Sequence, residues 1–254
     1  MTDLTKVKLG RLRSPFDRRA LWLNDYTQPT LPPEPVACDY SKAVTDWGMM
    51  LNDSLGDCAI AAPGHMEMGW TANAGNLYVP TDADILTAYE AVGGYSPTDP
   101  NTDQGCNMLD VLKYWKATGI AGHTIGAYVR LNPQRIDQIK QAVAMFGSVY
   151  LGVNLPIAAQ NQPVWDLPDG QELTGDWSPG SWGGHAIMCP EYDAATLSVV
   201  TWGEIQGVTW PWIVSYCDEA YAVLSPDLFN GQGKAPDGLD MGALQSDLQS
   251  VITL

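Results

Sequence analysis

Histidine, phenylalanine and positive charge are all scarce in this chain. Only 3 His and 3 Phe occur in 254 residues, and 13 Lys and Arg stand against 29 Asp and Glu. The resulting net charge of −16 argues against nucleic acid and against an anionic membrane as partners. It also accounts for solubility. No apolar run reaches the ~18 residues of a membrane span. The opening stretch MTDLTKVKLGRLRSPF lacks the apolar core of a signal peptide. Five cysteines, Cys38, Cys58, Cys106, Cys189 and Cys217, are an odd number and contain no CxxC pair. A structural zinc site or a dense disulfide framework is therefore not expected, and neither a metal nor a cofactor is implied. A soluble chain in a reducing compartment fits these absences.

What is abundant points to a packed core: 45% of residues are hydrophobic, and ten are Trp. The length suits one large domain or two lobes. The few basic residues crowd before position 20, at Lys6, Lys8, Arg11, Arg13, Arg18 and Arg19. Such an arm is either an adhesive tail or a solvated end, and the second reading is favoured.

Residues 1–46, with QPTLPPEPVACD, read as an extended arm. Four helices follow in the pattern. One covers 58–72, with Asp57 as a candidate N-cap. The others are TDADILTAYEAVGG, GCNMLDVLKYWKATGI with its stop at Gly119, and NPQRIDQIKQAVAMFG ending at Gly147. The texture then turns to strands: SVYLGVNLP, GHAIMCPEYD, TLSVVTWG and EAYAVLSP. Residues 47–128 thus form a helical part, 129–228 a β-rich part, and 229–254 a loop and an amphipathic C-terminal helix.

Within NDSLGDCAIAAPGH, Cys58 stands where a helix begins. The helix dipole and free amides there favour the thiolate, the reactive form of cysteine. A thiolate needs a basic partner. His65 lies about two turns along the same helix and is too far. His123 follows a helix in a loop. His185, in SWGGHAIMCPEYD of the β-rich part, can face Cys58 across a cleft.

These blocks together resemble papain-like cysteine peptidases over roughly residues 31–225, in a bacterial or phage branch. Asn52-Asp53-Ser54-Leu55-Gly56-Asp57-Cys58-Ala59-Ile60 is similar to the motif Q-G-x-C-G-S-C-W-A. DQGCNMLDVLKYWKATGI, IDQIKQAVAMFGSVYLGVNLP, GGHAIMCPEYD and VTWGEIQGVTW are similar to four further family blocks, in the family's order. The spacing from Cys58 to His185 also suits the family.

The resemblance implies an α+β, papain-like two-lobed fold. A helical N-terminal lobe would face an antiparallel, barrel-like C-terminal lobe, with the site in the cleft between them. It makes Cys58 the nucleophile, His185 the base and Asn52 the oxyanion donor. Gly56, Asp57, Gly184 and Trp202 would line the cleft, and Trp202 and Trp210 would shelter the histidine. The substrate would be a peptide or amide.

Three departures qualify this. Val200 stands where the family places the Asn that orients the histidine, leaving Thr201, Asp193 and Glu204 as candidate orienters. Leu55 replaces the cysteine that would bridge to Cys106. No inhibitory pro-segment of the usual length precedes residue 31. Two functions follow: a thiol hydrolase, or a weakly active or silent scaffold serving as a structural component of a bacterial or phage assembly, with a protein partner. The corresponding location is cytoplasmic or virion-associated.

Overall fold

The computed structural model describes Leu4, residues 6–15, Trp22 and residues 33–228. The expected C-terminal helix lies outside the described residues.

Four helices form close to their expected bounds: α1 (Cys58–Asn73), α2 (Asp82–Gly93), α3 (Met108–Ala117) and α4 (Ile136–Phe146). Local chemistry sets their ends. Thr81 and Asp84 form a reciprocal capping box that starts α2, and Gly94 ends it in the left-handed region at φ 68°. The Asn107 side chain accepts from the Asp110 amide to start α3. Gly147, at φ 74°, stops α4. Asp57 precedes α1 but makes no side-chain capping bond. A fifth helix, α5 (Trp210–Tyr216), had no helical pattern in the sequence; Pro211 sits in its first turn, where a missing N–H costs little.

Helix α1 is buried on nearly every side, so its sequence is small and apolar rather than amphipathic. A Cβ at Gly64 would lie 2.6 Å from the Met50 sulfur, and one at Gly69 would lie 2.9 Å from the Met188 methyl. Pro63 removes the N–H that would bond the carbonyl of Ala59. The Tyr150 hydroxyl takes its place, donating to that carbonyl at 2.6 Å. The turn that carries Cys58 is thereby tied to the sheet.

The strands are β1 (Arg11–Leu12), β2 (Cys38–Asp39), β3 (Cys106–Asn107), β4 (Ala127–Leu131), β5 (Val149–Leu155), β6 (Val164–Trp165), β7 (Gly183–Tyr192), β8 (Thr196–Thr201), β9 (Glu204–Thr209) and β10 (Cys217–Leu224). The large sheet runs β4-β10-β5-β7-β8-β9-β6, with β2 pairing to β7. Its pairs are antiparallel except β6 with β9. This corrects the barrel-like expectation: β4 and β6 end the sheet without meeting, so it stays open. Alternate residues of the central strands serve two cores. Tyr150, Met188 and Tyr221 pack with α1, α2 and α3. Leu151, Ile187 and Ala222 pack with α4 and α5.

One carboxyl sits inside the helical core. Glu67 of α1 is fully buried, its carboxyl facing the Trp115 indole N–H without a hydrogen bond of full geometry. Burial, and secondarily the nearby Asp227 carboxylate, push its pKa up to about 9. Because the folded value lies above the ordinary 4.5, the stability this group lends is complete below about pH 4.5 and is lost as pH rises towards 9. Glu67→Gln, neutral at every pH, is expected to match the wild type near pH 4 and to exceed it increasingly towards pH 9. Thermal unfolding across that range measures the gap, and a gap that does not widen with pH contradicts the neutral buried acid.

Candidate active site

Cys58 is the first residue of α1 and is fully buried. Its thiol faces the backbone amides of Ala186, in β7, and Gly10. Ala186 directly follows His185, so the thiol lies against the strand that carries the imidazole. Burial pushes the thiol up to about 11, against the smaller lowering by those two amides.

His185 lies inside β7, opposite Val153 of β5, and is fully buried. Its Nε2 meets the Thr201 hydroxyl at 2.7 Å. Nδ1 is buried without a hydrogen-bond partner. When Nε2–H donates to Thr201, Nδ1 carries the lone pair a base needs. Burial first, and the Arg11 charge second, push the imidazole down to about 3. Trp202 stacks on the ring with centroids 4.5 Å apart and planes 13° from parallel. Trp202 and Gly203 form the two-residue turn between β8 and β9, at φ 47° and 73°. Positive φ at both positions is the type I′ pattern. It is an uncommon conformation for Trp, and it places the indole over the histidine.

Among the candidate orienters, Thr201 alone bonds His185. Asp193 turns its Oδ1 to the amides of Ala195 and Thr196, each at 2.7 Å, and shapes the β7–β8 turn. Glu204 is exposed opposite Thr201 across the hairpin. Val200 faces the helical core. The register of β8 thus sets Thr201, one residue on from Val200, against the imidazole.

Asn52 is buried, but its amide nitrogen donates to Asp57 Oδ1 at 3.0 Å and to the Leu55 carbonyl at 3.5 Å. Burial holds the Asp57 carboxyl well above the usual carboxylate range, opposed by the Asn52 hydrogen bond. The Gly56 amide donates to Asp103 at 2.9 Å. His65 is buried against Trp47 with its Nε2 at the Gly48 carbonyl, 3.1 Å away. His123 pairs with Asp227 at 3.0 Å. All five cysteines are free. Among the described residues, no cluster of three His, Cys, Asp or Glu could hold a metal ion, and no helix is long and apolar enough to cross a membrane.

The cleft is filled by the chain's own N-terminal segment. This corrects the solvated-end reading for Arg11, which is buried, while Lys8 and Arg13 stay exposed and Arg18 and Arg19 lie outside the described residues. Strand β1 pairs parallel with β3, and the Cys106 amide donates to the Gly10 carbonyl at 2.9 Å. Glycines on both walls give the segment its room. A Cβ at Gly105 would lie 1.8 Å from the Gly10 carbonyl oxygen, and one at Gly184 would lie 2.3 Å from that of Arg11. A Cβ at Gly10 itself would lie 1.6 Å from the Gly56 oxygen. Side chains anchor the rest. Lys8 pairs with Asp103 at 2.6 Å, and the Ser14 hydroxyl accepts the Leu109 amide at 3.1 Å, near the start of α3. Arg11 donates to Asp218 and, at 2.9 Å, to Glu219. Gly10, Arg11, Asp218 and Glu219 carry no sequence signal that would have joined them, since a charge cluster at a terminus ordinarily stays in water.

No family model matches the sequence, and no curated protein matches it. Solved structures do. Xylellain, a cysteine protease from Xylella fastidiosa, superposes with a TM-score of 0.64 at 16% identity, covering 87% of this chain and 97% of its own. Digestive procathepsin L 3 from Tenebrio molitor larval midgut gives 0.58 at 13%, covering 88% and 77%. A recombinant stem bromelain precursor gives 0.55 at 15%, covering 89% and 80%. At these identities the likeness is one of backbone architecture, and it agrees with the order of helices and strands described above: the chain has the papain-like cysteine protease fold.

Proposed function

We propose that the chain is a thiol hydrolase of peptide or amide bonds, held latent by its own N-terminal segment. The observation that carries this is His185, bonded through Nε2 to Thr201 and left with an unpartnered Nδ1, on the same strand whose Ala186 amide faces the Cys58 thiol. A thiol at a helix start and an oriented imidazole with a free nitrogen are the two groups nucleophilic catalysis requires, and catalysis would need them to come within hydrogen-bond reach in the open cleft. Cys58 would attack the carbonyl, and His185 would take the thiol proton and return it to the leaving amine. The first amides of α1 would bear the oxyanion. Asn52 would join them once its amide turns from Asp57.

Latency follows from burial. With the segment seated, the thiol at about 11 and the imidazole at about 3 form a neutral pair. Burial is the largest cause in both cases, so water entering the vacated cleft moves the two values towards each other and lessens the cost of thiolate with imidazolium. The same neutral pair favours a second reading, a silent scaffold that serves a bacterial or phage assembly through a protein partner. A pool of fluorogenic peptide amides decides between them. The full chain carrying Gly10→Ala, which the Gly56 carbonyl excludes from the cleft, is expected to hydrolyse the pool, and the same chain with Cys58→Ala is not. Hydrolysis by neither, with the cleft shown open by alkylation of Cys58, establishes the scaffold.

A further inference from the structure

The segment lies in the cleft as a peptide ligand would, so the place of each of its side chains describes a subsite. Leu9 packs against the Gly183 wall, where an added Cβ would touch its side chain at 2.9 Å. Gly10 crosses the thiol. Arg11 turns inward with its side chain 1% exposed, while Leu12 turns out to solvent. The pocket that receives Arg11 is built for a guanidinium. Asp218 and Glu219 of β10 each accept from its Nη2, and the Val153 carbonyl of β5 lies 3.4 Å from Nη1. Gly152 forms the floor, where a Cβ would stand 2.4 Å from the arginine Nε. Glu219 is itself held in place by the Tyr221 hydroxyl at 2.7 Å.

We propose that this pocket is a specificity subsite, and that the substrates of the cleft are peptides presenting an arginine one residue away from the residue that crosses Cys58. The identification of the occupant as substrate rests on the hydrolase reading; the pocket's choice of a guanidinium does not. Glu219, buried, with Asp218, half-buried beside it, is costly without a counter-charge, so a vacated pocket favours a cation. The planar fork of arginine satisfies two carboxylates and a carbonyl together, which an ammonium on a flexible stem does less well. A glycine floor leaves room for the flat group and no wider one. The segment therefore acts as a pseudosubstrate, and its arginine identifies what displaces it.

Binding measured on a chain that cannot hydrolyse separates the two claims. In the full chain with Gly10→Ala and Cys58→Ala, acetyl-Lys-Leu-Gly-Arg-Leu-amide is expected to bind at least about tenfold more tightly than its norleucine counterpart. The lysine counterpart should fall between them. Adding Glu219→Gln should bring the arginine and norleucine peptides to within about twofold. A second measurement guards against a segment that stays partly seated: ethylguanidinium, and not ethylammonium at equal concentration, should raise the unfolding temperature of the Arg11→Ala chain. A guanidinium-selective response in either measurement, removed by Glu219→Gln, supports the subsite. Absence of selectivity in both overturns it. Failure of the Cys58-bearing chain to cleave any peptide would refute the hydrolase and leave the binding result as it stands.

Discussion

Replacing Gly10 with alanine is expected to raise the rate at which iodoacetamide alkylates Cys58 at pH 7 by on the order of 10²-fold. The steric part of the argument is local. The new methyl would fall 1.6 Å from the Gly56 carbonyl oxygen, and its position is fixed by the backbone, so no side-chain rotation relieves the clash. The segment must therefore leave its track between Gly56, Gly105 and Gly184. The chemical part is the change of environment. Burial is the largest cause holding the thiol at about 11, and losing it returns the thiolate fraction by about two powers of ten. Access adds to this, because Cys58 is fully buried while the segment is seated. Mass spectrometry of the labelled peptide gives the rate at each cysteine. Cys189, buried elsewhere in the sheet, serves as the internal reference, since its rate should not change. If Cys58 is alkylated no faster in Gly10→Ala than in the wild type, the segment is not what closes the site.

Much of this arrangement was legible in the sequence, and the parts that were not share a cause. Helix ends written in local chemistry, such as Thr81 with Asp84 and Gly147, fell where capping rules put them. Cys58 at the start of α1 was legible from the helical run of small residues that follows it, although Asp57 makes no capping bond. Long-range pairings were not. Arg11 meets acids 207 and 208 residues away, and composition alone assigns a terminal arginine to water. Asn52 shows the intermediate case. Its position in the loop was readable, but the direction of its amide depends on Asp57, whose carboxyl is buried beside it only in the folded chain. The open sheet is likewise a tertiary outcome: β6 is two residues long and pairs parallel with β9, which no alternation of apolar residues could announce. Thr201 lies between these extremes, one of three candidates by sequence and chosen by the register of β8 against β7.

That choice has a large expected consequence. In the Gly10→Ala chain, Thr201→Val should lower kcat/KM for a peptide amide by about 10³-fold, chiefly through kcat. Valine matches threonine in shape, so Trp202 can keep its stacking on His185, but the ring loses the only hydrogen-bond partner of its two nitrogens. Both tautomers then become available, and the one with a proton on Nδ1 cannot accept from the thiol. The imidazolium also loses an acceptor for Nε2–H, so its pKa falls and the alkaline limb of the pH–rate profile should move to lower pH. Loss of packing alone would not shift that limb. Thr201→Asn, which restores an oxygen acceptor, is expected to recover kcat to within about tenfold of the Thr201 chain. The buried nitrogen left bare by valine should also cost about 1–3 kcal/mol of stability, visible as a lower urea midpoint. An unchanged kcat and pH profile in Thr201→Val would show that the imidazole needs no orienting hydroxyl, and that Trp202 alone fixes the ring.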